Sequence, residues 1–377
     1  MNRILLSFLC APLAVGIVQA QAPQRFASQK ANFTVETVAS GLQHPWGLAF
    51  LPGGRMLATE RAGRLRIVSA DGALSEPLKG VPRVDARSQG GLLDVAVDPE
   101  FAQNRFVYLT FSEPQEDGKN NTALARGRLS AAADALENVS ILWRQEPSYA
   151  GAMHFGSRIV FTRERNIFIT VGDRFRLREE AQNPANTLGK VIRITRDGQP
   201  APGNPGLGGN GWNPFIWSIG HRNVQGAALH PATGQLWTAE HGARGGDEIN
   251  RPEAGKNYGW PVITYGVDYS GAKIGVGTHK EGMEQPIFYW DPSIAPSGMA
   301  FYSGEAFPGW KGSAFVGALT SKLLSRLEFE GDKILREERL LRDLGERIRD
   351  VRQGPDGFLY LLTDSAQGRV LRLTPAR

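Results

Sequence analysis

His154 and Asp173 are the residues of this chain whose types and spacing best suit proton transfer. An imidazole titrates near neutrality, so His154 is the best candidate general base at working pH. Asp173, in Thr170-Val171-Gly172-Asp173, follows the next predicted strand, where a carboxylate can orient the ring and stabilise its protonated form. A structural histidine beside a turn aspartate accounts for the same pair equally well. A second set is cationic: Arg222, Lys322, Arg347 and Arg349. Buried charge is costly unless compensated. Either carboxylates of the chain neutralise these groups, with Asp350 and Asp247 as nearby candidates, or a small bound polyanion does. No Gly-rich loop leads into a helix, which argues against a nucleotide. The third set is the run from Glu240 to Asn250, Glu-His-Gly-Ala-Arg-Gly-Gly-Asp-Glu-Ile-Asn. Calcium takes carboxylate and carbonyl oxygens, so Glu248 and the carbonyls of Gly242, Ala243 and Tyr258 are candidate ligands. The same Asp-Glu beside glycine also suits an ordinary turn.

These residues are far apart in the chain, and a repeat is what brings them together. One short pattern recurs six times, at His44-Pro45-Trp46-Gly47, Gln89-Gly90-Gly91-Leu92, His154-Phe155-Gly156, Arg222-Asn223-Val224-Gln225-Gly226, Ser297-Gly298-Met299 and Arg347-Ile348-Arg349-Asp350. In most copies a turn and a second β-rich run follow. Short strands with Gly/Pro turns at such a period indicate a β-propeller of six blades. The innermost strand of each blade lines the axis, so the residues before those strands gather at one mouth. Gln89, His154, Arg222, Asn223, Gln225, Arg347 and Arg349 should therefore surround one pocket. Strands are predicted at 64–68, 106–111, 166–171, 190–195 and 370–373. No long amphipathic helix is predicted, and 129–137 is at most one short helical turn. The run from Asn32 to Ala39 is a free strand expected to pair into the last blade and close the ring. A pair of β-sandwiches is the competing architecture, but it would not explain six copies. Insertions at 174–188 in the third blade and 251–286 in the fourth are long loops of the kind that carry binding function.

Composition narrows the classes. The 377 residues are 41% hydrophobic, as in a globular protein with a sizeable core. No linker divides them, so residues 21–377 read as one propeller domain. Arg3, the apolar run Ile4 to Val18 and Val18-Gln19-Ala20 form an export leader over residues 1–20, placing the mature chain in the periplasm or outside the cell. No second apolar stretch resembles a membrane span. The single cysteine, Cys10, leaves with that leader, which excludes disulfides, zinc-thiolate sites and cysteine nucleophiles from the mature chain. The formal charge of +5 is mild, and no Lys/Arg stripe with interleaved aromatics suggests nucleic acid. The alternation Arg174, Arg176, Arg178 reads as a solvated loop face.

Taken in order, the motifs resemble the soluble PQQ-dependent aldose sugar dehydrogenase family, related to soluble quinoprotein glucose dehydrogenase. The resemblance runs from about His44 to Leu373. It also includes Gly246-Asp247-Glu248-Ile249-Asn250 and Asn257-Tyr258-Gly259-Trp260-Pro261. It implies a six-bladed propeller holding pyrroloquinoline quinone (PQQ) and calcium. By the same resemblance, His154 takes the proton of the sugar C1 hydroxyl while hydride passes to the quinone C5, and Asp173 assists it. Arg222, Asn223, Lys322, Arg347 and Arg349 would hold the cofactor, with Thr320, Ser321, Leu323 and Ile348 from the same segments. Gln89, Gln225 and Tyr269 would complete its surround, Tyr269 as an aromatic wall. One calcium would meet the carbonyls of Gly242 and Ala243, and a structural calcium would use Glu248 and Tyr258. Two departures stand out: Asp173-Arg174-Phe175-Arg176-Leu177-Arg178 replaces a more polar loop, and Val224 stands where relatives often have proline.

The resemblance implies an aldose substrate, an external electron acceptor, and a monomer or homodimer with no nucleic-acid partner. Two other readings compete. A calcium-dependent propeller lactonase would use carboxylates and metal-bound water, and four basic residues fit a polyanionic cofactor better than a neutral lactone. A ligand-binding propeller without catalysis would not need His154 beside the basic set.

Overall fold

The computed structural model describes residues 23–376, so the expected leader and Cys10 lie outside the described residues. Six antiparallel sheets follow one another along the chain. After β1 (Gln24–Ala27) and β2 (Asn32–Leu42), blade 1 holds β3 (Pro45–Phe50), β4 (Met56–Glu60) and β5 (Arg64–Val68). Blade 2 holds β6 (Leu92–Val97), β7 (Phe106–Pro114), β8 (Asn120–Leu129) and β9 (Leu136–Arg144). Blade 3 holds β10 (Ile159–Phe161), β11 (Ile167–Val171), β12 (Lys190–Ile194) and β13 (Ile216–Ile219). Blade 4 holds β14 (Val224–Leu229), β15 (Leu236–Glu240), β16 (Asp247–Asn250) and β17 (Phe288–Trp290). Blade 5 holds β18 (Pro296–Phe301), β19 (Ala314–Ala318), β20 (Leu323–Glu330) and β21 (Lys333–Leu340). Blade 6 holds β22 (Ile348–Gln353), β23 (Leu359–Thr363) and β24 (Gly368–Pro375).

The first strands of the blades pack in sequence around the axis: β3 on β6, β6 on β10, β10 on β14, β14 on β18, β18 on β22, and β22 back on β3. The molecule is a closed six-bladed β-propeller, and the recurring motif marks the start of each innermost strand. Glycine in that motif has a steric reason. A Cβ on Gly47 would lie 2.8 Å from the Asp94 carboxylate, and one on Gly298 would lie 2.2 Å from that of Asp350. Both aspartates belong to the next blade, so glycine lets adjacent inner strands approach.

The core is divided among the interfaces between blades. Leu57 and Leu65 meet Val95 and Leu109, Tyr108 and Trp143 meet Ile169 and Ile192, and Phe168 meets Leu236. Trp237 and Trp290 meet Val316, Trp310 and Phe315 meet Leu361, and Leu362 meets Met56. Each blade is covered on both faces, which is why β11, β15 and β23 are buried at every position.

The free N-terminal strand closes the ring: β2 pairs with β24 from Phe33 opposite Pro375 to Leu42 opposite Gly368. The additional outer strand β1 is not evident from the sequence pattern. The segment 129–137 is the tight connection between β8 and β9 rather than a helical turn, and the one α-helix among the described residues is Phe101–Asn104. The alternating polar Ser130 and Asp134 explain this, because the Ser130 hydroxyl accepts the Asp134 and Ala135 N–H groups and fixes a turn.

Candidate active site

Inner strands start, and second strands end, at the same mouth of the ring. Their termini enclose a cavity of about 1080 Å³ whose wall includes Gln89, Asn223, Gln225, Thr320, Arg347 and Arg349, together with Gly242, Ala243 and Tyr269. Trp46 forms part of its floor, with the Arg158 guanidinium 4.2 Å from the Trp46 ring centroid and that of Arg349 at 5.7 Å.

His154 stands behind Gln89, whose side-chain oxygen accepts the His154 backbone N–H at 2.9 Å. Its backbone is left-handed (φ 54°), a conformation that a non-glycine residue keeps only when its surroundings impose it. His154 Nδ1 lies 2.7 Å from Asp173 Oδ1. The other Asp173 oxygen accepts the Trp260 indole N–H at 2.8 Å, and Oδ1 also accepts the Phe175 backbone N–H at 2.7 Å. Burial by itself would raise the Asp173 pKa, but the hydrogen bond and charge of His154 and the charge of Arg222 hold it below the usual carboxylate value. Burial, reinforced by Arg222 and Arg174, lowers the His154 pKa against the opposing bond to Asp173. Burial thus favours the neutral ring, with Nδ1 committed to the carboxylate and Nε2 the remaining ring nitrogen.

Arg222 has no carboxylate partner among the described residues. Its guanidinium donates to the carbonyls of His241 and Gly242 and to the Tyr269 hydroxyl, and its Nε is buried without an acceptor. Its backbone N–H is held by Glu240, which also accepts from His221 at 3.0 Å. Arg347 and Arg349 share Asp364, at 3.2 and 3.1 Å, and Arg349 also donates to the Gln225 side chain. His44 Nδ1 is 3.0 Å from the same carboxylate. Asp364 is thus the counter-ion expected at Asp350 or Asp247. Asp350 instead pairs with Arg158 and Arg352 near the axis, and Asp247 accepts the backbone N–H groups of Gly242, Ile294 and Ala295.

The other predicted residues are placed less uniformly. Asn223 accepts the Gly156 N–H through its side-chain oxygen. Lys322 is exposed in a left-handed turn (φ 49°) and Ser321 is half-buried, and neither is part of the cavity wall. Leu323 and Ile348 send their side chains into the core between blades, leaving only their backbone for any contact at the mouth. Arg174 is buried, contrary to the solvated face expected for it. It donates to Met153 O, Gly151 O and Asn120, and its guanidinium lies over the Phe155 ring. Arg176 and Arg178 do reach solvent.

The residues present suit a polyanion. Arg222, Arg349 and Arg61 each keep a buried Nε without an acceptor among the described residues, and His241 Nε2 is buried without a partner. All but Arg222 line the cavity itself. A cation fits the acidic segment on the chemistry of its donors. Glu240 and Glu248 are directly opposed across β15 and β16, both bonded to the Asn250 amide. Loss of solvent and the neighbouring Glu240 push the Glu248 carboxyl up to about 8, a repulsion that a divalent cation would relieve. Tyr258 stacks on His221 beside this pair. Among the described residues no three His, Cys, Asp or Glu side chains converge as a metal site, so calcium at Gly242 and Ala243 would depend on carbonyl oxygens.

Trp46, Arg61, His241 and Asp364 are cavity residues that sequence reasoning did not single out, and Trp260, outside the cavity wall, orders the dyad. A signal existed for three of them: Arg61, His241 and Asp364 each follow the second strand of a blade, as Asp173 does.

Fold and site define a class: a six-bladed propeller with a buried His–Asp dyad beside a basic axial cavity. The chain belongs to the glucose/sorbosone dehydrogenase family, whose model matches residues 42–372. It is 47% identical over 348 residues to the aldose sugar dehydrogenase YliI of Escherichia coli K12, covering 92% of this chain and 94% of that protein. The apo-form crystal structure of the soluble E. coli aldose sugar dehydrogenase superposes with a TM-score of 0.89 at 46% identity, covering 91% of this chain and all of that one. The PQQ-bound aldose sugar dehydrogenase of Streptomyces coelicolor gives 0.75 at 29% identity, covering 93% and 100%.

Proposed function

We propose that this chain is an exported, PQQ- and calcium-dependent dehydrogenase that oxidises the C1 hydroxyl of aldoses to the lactone. The observation that carries the reading is the His154–Asp173 pair beside a cavity whose Arg61 and Arg349 keep unpartnered N–H donors. Arg222, Arg347 and Arg349 would hold the carboxylates of PQQ by charge-assisted hydrogen bonds. Asn223, Gln225, Gln89 and Tyr269 would bound it, with Lys322, Thr320, Ser321, Leu323 and Ile348 contributing from the rim or through backbone. Carbonyls of Gly242 and Ala243 would accept one calcium, and Glu248 with Tyr258 a structural one. When bound, PQQ supplies the two-electron acceptor for the hydride that leaves C1. His154 Nε2 receives the hydroxyl proton, while Asp173 fixes the ring and stabilises the imidazolium that results. Trp260 and the Phe175 N–H hold Asp173 in place. An external acceptor then takes the two electrons.

Export rests on the leader read over residues 1–20. Among the described residues no helix is long and apolar enough to cross a membrane. The relatives named aldose sugar dehydrogenase support the substrate class, and the S. coelicolor protein supports the cofactor. Titration of purified protein with PQQ, followed by cofactor absorption with calcium or with excess chelator, tests the reading when combined with dye reduction by a panel of aldoses. Calcium-dependent PQQ binding and aldose-dependent dye reduction are expected. Equal PQQ affinity in chelator would remove the calcium link, and no reduction with any aldose would remove the activity.

A further inference from the structure

We propose that Phe175 is a specificity-determining residue, whose ring is the platform for the C–H face of an aldopyranose presenting its C1 hydroxyl to His154. The inference rests on the sugar-oxidising reading above and adds the residue that shapes its substrate site.

Phe175 sits where the chain does not place a bulky residue without cause. Arg174 and Phe175 are consecutive left-handed residues, φ 60° and 67°, a conformation unfavourable to any side chain with a Cβ. Such strain persists only when the surroundings over-determine it. Here they do. The buried Arg174 guanidinium is fixed by Met153 O at 3.1 Å, Gly151 O at 2.6 Å and Asn120, with its plane over Phe155. The Phe175 N–H is held by Asp173 Oδ1 at 2.7 Å. The same carboxylate that orients the base therefore also orients this residue.

The result is a ring with a defined place between His154 and the cavity-lining Tyr269, just outside the cavity wall itself. Phe175 meets His154 edge-on at 5.1 Å and 86°, and lies 6.2 Å from Tyr269, which lines the cavity and is 58% exposed. Burial does not explain it. Phe175 remains partly exposed and belongs to no buried hydrophobic cluster among the described residues. A strained, half-exposed aromatic ring beside the proton acceptor has an obvious use in carbohydrate recognition. One side of a pyranose ring presents axial C–H groups, which pack on the electron-rich face of an aromatic side chain, while its hydroxyls turn to polar partners.

Phe175→Gly is the informative variant, because glycine adopts φ 67° without strain and so removes the ring while easing the backbone. With PQQ and calcium bound, KM for D-glucose and D-xylose should rise about three- to tenfold, the range worth of one aromatic contact. The loss should fall on KM rather than on kcat, because the backbone N–H that holds Asp173 Oδ1 is retained in the variant. The calorimetric dissociation constant for D-glucose should rise in step with KM, Phe175→Tyr should restore both, and Tm of Phe175→Gly should not fall. Unchanged KM and sugar affinity in Phe175→Gly would overturn the proposal. So would a loss in kcat at constant KM, which would make Phe175 a positioning group for His154. The outcomes also separate the two inferences. Sugar binding that depends on Phe175 without turnover on any aldose would sustain the platform and defeat the dehydrogenase reading. Aldose oxidation with KM indifferent to Phe175 would do the reverse.

Discussion

The burial of His154 has a consequence for pH. Its pKa is lowered in the folded protein, so the ring is neutral above roughly the ordinary histidine value of about 6.5 and loses its basicity only as pH falls below it. kcat/KM is therefore expected to be flat above neutrality and to decline with an acid limb whose midpoint lies below 6.5. The stability contribution has the same sign, being complete above the unfolded pKa and lost as pH falls through the folded one. His154→Ala should cost on the order of 10²–10⁴ in turnover with PQQ affinity largely kept. Loss of PQQ binding with normal turnover per bound cofactor would show that the residue serves the cofactor instead. Arg349 belongs to the other half of the site. Burial lowers its pKa to about 10, so it stays charged at neutral pH, and Asp364 and Gln225 hold it toward the cavity. A hydrogen bond from a charged group contributes roughly 1.5–3 kcal/mol, so Arg349→Ala should weaken PQQ about ten- to a hundredfold. Titration calorimetry of PQQ, set beside sugar KM at saturating PQQ, tests which ligand the arginine serves.

At the scale of elements, the third blade carries the His154–Asp173 pair, and the insertion at 174–188 follows directly on Asp173. Lys190, at the start of β12, is wholly buried, and its ammonium donates to the carbonyls of Glu180, Ala181 and Leu188. One buried amine, its pKa lowered by burial to about 7, thereby closes the insertion onto the strand that follows it. Replacing it by methionine strands these carbonyls, each buried unsatisfied group costing about 1–3 kcal/mol. Lys190→Met should accelerate amide exchange over residues 178–188 and lower Tm, with exchange in the other blades unchanged. Uniform acceleration around the ring would show that the insertion is not an independent unit. The two insertions also meet: Trp260 from 251–286 reaches Asp173, and Gln182 from 174–188 exchanges side-chain hydrogen bonds with Asn257. Their position as long loops could be read from the interrupted repeat. Their contact could not, because neither has a periodic pattern to fix its path.

The ring as a whole is held at its axis by charge as well as by six apolar interfaces. Asp94 accepts from Arg158 at 3.2 Å and from Arg352 at 2.7 Å, and Asp350 faces the same two arginines, with Arg158 and both carboxylates almost fully buried. Three blades contribute to this network, so it fixes their relative positions. Removing one partner leaves uncompensated buried charge, typically costing about 3–5 kcal/mol. Asp94→Ala should lose about that much in denaturant unfolding, although Asp94 is not part of the cavity wall. A change below about 1 kcal/mol would mean that Asp350 alone neutralises both arginines.

The sequence by itself determined the blade count, because six motifs with one residue order need six equivalent positions. Of the residues it places around one pocket, Gln89, Asn223, Gln225, Arg347 and Arg349 line the cavity, whereas His154 and Arg222 are not part of its wall. The strand from Asn32 was legible as the closing strand because it had no other blade to join. Tertiary structure decided the pairings. Asp364 neutralises Arg347 and Arg349 because the end of β23 returns to the mouth beside them, and no spacing rule ranks it above Asp350. Arg174 is buried, against the alternation that suggested a solvated face, because a left-handed backbone at two successive residues turns its side chain inward. Lys322, Leu323 and Ile348 share segments with cavity residues but point elsewhere: Lys322 stands in an exposed left-handed turn, and Leu323 and Ile348 pack into the core between blades. Type and order are local properties that a sequence carries; which charge meets which is set by where distant strand ends converge.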